Sequence, residues 1–290
     1  MPQTLHSTLP VFPVISLLVL IVALPGSPVS ADEPDVGLPS WVSFNAGSDQ
    51  EGSTDQALDL VLNGLPLAAS LRFSAVTTQH EVGGVAFDTR SLAWGISSDP
   101  LEQLEVGFDW SEWDSRNEFA IDSRSPWLRF NATHFALTGR YHARDISAQR
   151  VDSRVVEFES TGYSLEFDYL GAETFWFGAS HSNYNYSIDV TRINSDRILF
   201  SLSPAVRLYA FGLEDRATTV WYGLFIGDVS IDVTWRTSVS AVTAERANAT
   251  TLSADYPLLD QLSINANLGW QRSEGSDALG FYGAGFSYIW

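Results

Sequence analysis

Eight charged residues carry whatever chemistry this chain can perform. Arg72, Glu105, Asp109, Arg129, Glu166, Asp168, Asp232 and Arg236 each directly follow an apolar or aromatic residue. A charge in a low-dielectric wall is costly unless it pairs or faces water, so such positions point into a wet interior. Groups of mixed sign there sort ions and polar solutes by charge and make no covalent bond. Nucleophilic chemistry has little material. Beyond the first 31 residues the histidines are His80, His134, His142 and His181, the last lying between Ser180 and Ser182. Adjacent residues of a strand face opposite ways, so His181 cannot serve either serine as a base. No metal-ligand spacing or phosphate loop occurs, and no cofactor is expected.

The elements that position these charges repeat with a period of two. Leu67, Ala69, Leu71, Phe73 and Ala75 alternate with Ala68, Ser70, Arg72 and Ser74; Leu104, Val106, Phe108 and Trp110 with Glu105, Gly107, Asp109 and Ser111. The same holds for Tyr163 to Tyr169 around Glu166 and Asp168, and for Val229 to Trp235 around Asp232. Side chains of a strand alternate between faces, so each segment has one apolar face and one small, polar face. Short pieces such as Asn63–Pro66 and Tyr256–Asp260 supply turn residues. Longer polar stretches, Ser111–Asn117 and His142–Arg154 among them, read as loops at the other end.

Composition agrees with alternation. Aromatic residues reach 13% while charged residues are only 18%, below the usual quarter, yet mean hydropathy is zero. Apolar and polar residues are therefore interleaved and not blocked. There is no cysteine, which fits passage through an oxidising compartment. A net charge of −19 excludes nucleic acid as a partner, since phosphates would be repelled.

Both ends of the chain are distinctive. The apolar run Val14–Leu24 followed by Val29-Ser30-Ala31 has the length and the small-residue site of a signal peptide, although no Arg or Lys precedes it. The last strand sets Tyr282, Ala284, Phe286, Tyr288 and Trp290 on one face and Gly283, Gly285 and Ser287 on the other. That ending resembles the C-terminal assembly signal of Gram-negative outer-membrane barrels. The terminal aromatic Trp290, the alternating apolar residues before it and Gly285 five residues from the end carry the likeness, while Gly283 departs from a preference for polar residues there.

The resemblance implies an all-β, antiparallel up-and-down transmembrane barrel of the bacterial outer membrane. Residues 1–31 would be the signal peptide, 32–40 a short periplasmic tail and 41–290 the barrel. Counting back from Trp290 gives up to 16 strands, 14 if a hairpin is lost between Asn117 and Arg150, and 12 at the least. Tyr282, Phe286, Tyr288 and Trp290 would be read by the assembly machinery and periplasmic chaperones, with outer-membrane lipid around the wall. A porin-like channel for small hydrophilic solutes or ions follows, weakly cation-preferring because the eight inward charges carry an acidic excess. The other readings are a soluble sandwich, a narrower non-conducting barrel whose charges pair internally, and an adhesin-like barrel working through its loops. An outer-membrane acyl hydrolase is a further alternative, and the thin Ser/His content weighs against any enzyme.

Overall fold

The computed structural model of this 290-residue chain describes residues 39–82, 85–101, 103–115, 118–149, 155–171, 174–191 and 212–290. The expected signal peptide and most of the expected tail lie outside them. Among the described residues fourteen strands form: β1 (Trp41–Asp49), β2 (Thr54–Leu65), β3 (Ala69–Val82), β4 (Val85–Leu101), β5 (Leu104–Ser115), β6 (Phe119–Asn131) and β7 (Phe135–Gln149) make one half. The other half is β8 (Val155–Tyr169), β9 (Phe175–Tyr186), β10 (Glu214–Ile226), β11 (Val229–Ser240), β12 (Arg246–Leu259), β13 (Leu262–Ser273) and β14 (Leu279–Ile289). Each pairs antiparallel with its sequence neighbours, and β14 pairs with β1 to close the barrel.

The counts of 16 and 12 are corrected to fourteen. Between Asn117 and Arg150 a single hairpin runs, β6 with β7, and its strands are 13 and 15 residues long. The residues expected to form a loop from His142 onward continue β7 to Gln149, and Ser111–Ser115 likewise continues β5. These strands outrun their apolar stretches, so polarity alone placed their ends too early.

Alternation places the faces as expected. Leu58, Phe73, Trp94, Leu128, Leu165, Val233, Leu268 and Phe286 are exposed on the outside although the protein is a closed barrel. Two belts of rings border this apolar band. Near the chain termini stand Phe130, Phe135, Tyr169, Phe175, Tyr222, Tyr256 and Tyr288; near the far end stand Trp94, Trp110, Tyr141, Tyr163, Trp235, Trp270 and Tyr282. Six to eight residues of tilted strand separate the belts, about 20 Å of height, the form that a lipid-facing band takes. Among the described residues no helix is long and apolar enough to cross a membrane.

The register fixes the width. Following paired residues round the circle returns to β1 displaced by roughly one residue per strand crossed. A rise of about 3.3 Å for each spacing of about 4.8 Å tilts the strands by about 35° and gives a backbone radius of about 13 Å. The connections at the terminal end are short turns such as Gly227–Asp228, where Gly227 takes φ 61°, while β9 ends at Tyr186 and β10 begins at Glu214, both at the far end.

Candidate functional site

All eight expected lining residues fall on the inner face, as their register partners show. Glu105 pairs across from Arg129, and Asp232 from Gly223 and Ser253. The structure brings six of the eight into ion pairs, some with residues that were not anticipated. Arg72 meets Glu105 at 3.7 Å, Arg129 meets Asp168 at 3.5 Å, and Asp109 meets Arg140 at 3.2 Å. Each of these pairs reaches over an intervening strand, a span of about 10 Å between backbones that the long arginine side chain covers. Arg236 grips both oxygens of Glu214 at 2.8 Å, with side chains only 13% and 8% exposed, so this pair is desolvated and well satisfied. Among the described residues Glu166 and Asp232 are left without an ion pair.

Sequence reading missed Asp55, Asp59, Arg140, His142, Arg144, Glu214 and Asp255, all of them inward. Leu58, Leu60 and Leu62 alternating with Asp59 and Val61 was a usable signal for β2. In β7 the outward partners of the inward charges include Gly139 and Ala143, too small to reveal an apolar face. The charges are unevenly placed round the circle. Arg129, Arg140 and Arg144 stand on β6 and β7, and Arg144 lies 3.8 Å over the ring of Tyr184, a cation–π contact. The facing wall, from β11 through β14 to β2, carries Asp232, Asp255, Asp55 and Asp59 among serines, asparagines and glycines. At the far mouth Glu51, in the β1–β2 connection, has its carboxyl pushed up by partial burial and then by the Asp49 carboxylate.

Inward aromatic rings do not cross the lumen but lie on the wall. A Cβ on Gly223 would come within 2.1 Å of the Trp176 ring, and one on Gly178 within 2.4 Å of Trp221, so only glycine allows these rings to lie flat on the neighbouring strand. At the far mouth a small apolar cluster gathers Phe119, Ile146, Phe158 and Val242 with Val190 and Leu213. Its members stand at the far ends of β6, β7 and β8, just after β9, just before β10 and just after β11. Across the barrel, two backbone walls about 26 Å apart exceed the roughly 10 Å that two facing layers of side chains fill, which leaves room for water.

One defect crosses the β6–β7 seam at mid-height. Pro126 has no N–H to give, and a strand with partners on both sides rarely tolerates it. Pairing with β5 is kept at Phe108↔Pro126, whereas pairing with β7 lapses between Arg124↔Ala143 and Trp127↔Arg140. Side chains bridge the lapse: Ser125 Oγ lies 3.0 Å from His142 Nδ1, and Ser164 Oγ lies 3.0 Å from His142 Nε2. This brace ties β6, β7 and β8 together from inside. Replacing His142 with Ala is therefore expected to destabilise the barrel by about 2 kcal/mol, read as a lower temperature for losing the compact form on gels. An unchanged transition would show the brace to be idle. His181, by contrast, faces outward and bonds Thr218 Oγ1 through Nδ1 at 2.9 Å.

With this geometry in view, comparison with known proteins finds its match in the fold. No family profile and no curated protein matches the sequence. Among solved structures, the CymD monoaromatic hydrocarbon channel aligns over 89% of this chain and 89% of its own, at 8% identity and a TM-score of 0.54. The NanC porin aligns over 85% and 98%, at 11% identity and 0.48. The OmpT loop-deletion mutant, an outer membrane protein of Vibrio cholerae, aligns over 88% and 100%, at 8% and 0.45. The fold is shared. At these identities the likeness says nothing of the solute.

Proposed function

We propose that the chain is a porin-like channel of the bacterial outer membrane through which small hydrophilic solutes pass by diffusion, with a weak preference for cations. The carrying observation is the inner wall. It carries charged and small polar residues between its inward rings, is wider than its side chains can fill, and among the described residues holds five acidic groups without an ion pair (Asp55, Asp59, Glu166, Asp232 and Asp255) against Arg144 as the inward arginine free of one. Acids in such a wall raise the local concentration of cations. The outer band with its two aromatic belts supports placement in lipid, and the short turns at the terminal end support that end as periplasmic. Residues 1–31 serve as signal peptide and 32–40 as tail in this reading, and chaperones and assembly machinery act on Tyr282, Phe286, Tyr288 and Trp290. CymD is a channel for a monoaromatic hydrocarbon, but serine, asparagine and paired charges at mid-height suit hydrated cargo better here.

A non-conducting structural or adhesin-like barrel is the second reading, favoured by the apolar cluster at the mouth and by the internal ion pairs. Planar-bilayer recording separates the two. Discrete conductance steps from protein that also migrates faster unheated than boiled support the channel. Silence from the same compact protein would transfer it to the structural class.

A further inference from the structure

We propose that the outward face of β10–β13, just beyond the far-end aromatic belt, docks phosphate-bearing lipid headgroups of the surrounding leaflet. This rests on the membrane placement above. Register sets Arg216, Val239 and Arg246 in one line across β10, β11 and β12. One pair closer to the lipid band, His181, Thr218, Thr237, Asn248 and Arg272 form a second line across β9 to β13. Both lines share the face of Trp235 and Trp270, which are 42% and 50% exposed directly beneath them.

The chemistry of the two lines is that of an anion cradle. Arg216, Arg246 and Arg272 are all exposed. Among the described residues Arg216 and Arg246 enter no ion pair, and Arg272 gives only its Nε, to Ser276 O at 3.3 Å. Hydroxyl and amide donors lie in the row below, and a guanidinium matches phosphate with two parallel N–H groups. Glu245 and Glu274 stand in the connections one level further from the lipid, so they leave the cradle's membrane side open.

Across the barrel the collar has the opposite sign. On β5–β8 the outward residues at this height are Glu112, Asp122, Asp145, Glu157 and Glu159. Among the described residues the outward arginines of that side are already engaged, Arg90 with Asp114 at 2.8 Å and Arg124 with Asp145 at 2.9 Å. An anionic headgroup therefore has one sector to favour. Trp235, Trp270 and Val239 flank the arginines with apolar surface, which suits a phosphate carried on acyl chains and not one free in water.

The test uses the whole mature barrel in phosphatidylcholine vesicles containing a minority of phosphatidate, with the lipid that stays bound after detergent extraction identified by native mass spectrometry. The native barrel should retain phosphatidate enriched about tenfold or more over its share of the vesicle, as roughly three surface arginines would give. The triple variant R216Q/R246Q/R272Q should lose that enrichment, and R90Q/R124Q should keep it. Equal enrichment in the triple variant, or none in the native barrel, overturns the docking site alone if the gel shift shows an inserted barrel. Protein that never enters the vesicles overturns the placement and the docking site together.

Discussion

Deletion of Trp290 is expected to leave the chain outside the membrane, open to protease and without a compact band on unheated gels. The residue does two things at the seam. Its N–H donates to Ser40 O at 3.0 Å and its O accepts from Ser40 N at 3.1 Å, extending the β1–β14 ladder by one pair beyond Trp41↔Ile289. Its ring stacks on Tyr288 with centroids 6.2 Å apart at 20°, and Phe286 meets Phe44 across the same seam at 5.9 Å. Two ladder hydrogen bonds and one half-buried indole together contribute about 3–5 kcal/mol, a large part of a domain's net stability. The same residue is the end that the assembly machinery would grasp. Trp290→Phe should restore insertion because ring and ladder both survive. Normal insertion of the deletion, measured by flotation with outer membranes, would show the terminal aromatic to be incidental.

Neutralising Asp59, Asp232 and Asp255 together by Asn should cut the cation preference by more than half. These acids lie on the small-residue wall and, among the described residues, carry no ion pair, so their field reaches the solution in the lumen. Asp59 is held by Ser43 Oγ at 3.4 Å, a contact Asn can keep. The reversal potential under a salt gradient should fall by more than half, and high salt should erase the difference, since the Debye length shrinks to about 3 Å at 1 M. Glu166→Gln with Asp168→Asn acts by another route. Asp168 neutralises Arg129, and removing it frees a positive charge as well as deleting a negative one. That double variant should move toward anions by more than its two deleted charges alone would. Anion preference in the native protein would refute the acidic-wall account.

How much of this was legible beforehand differs between wall and pairs. Parity alone put Arg72, Glu105, Asp109 and Asp168 inside, because a strand leaves no third direction. The outward rings of Trp235 and Trp270 were equally readable. Partners were not, since Arg140 reaches Asp109 across β6, a relation set by stagger and tilt. His142 and Arg144 were hidden for a simpler reason. Gly139, Ala143 and Asp145 outside them look like a loop, yet β7 rises past the lipid band and needs no apolar cover there. Pro126 would have argued against any strand on both sides of it, and only the Ser125–His142–Ser164 brace explains how β6 survives.

The strand order has a consequence for how the molecule forms. Every interface but one joins strands adjacent in sequence, so almost all contacts are hairpins of low sequence separation and can form quickly. The exception joins Trp41 to Ile289 and closes nearly the whole barrel at once. Bringing those ends together from an open, curling sheet costs about 5 kcal/mol of chain entropy for a loop of such length, and nothing is gained until both edges meet. The mutational sensitivities should therefore divide: changes inside hairpins alter how fast the sheet grows, while changes at the last edge decide whether growth ever ends in a closed molecule.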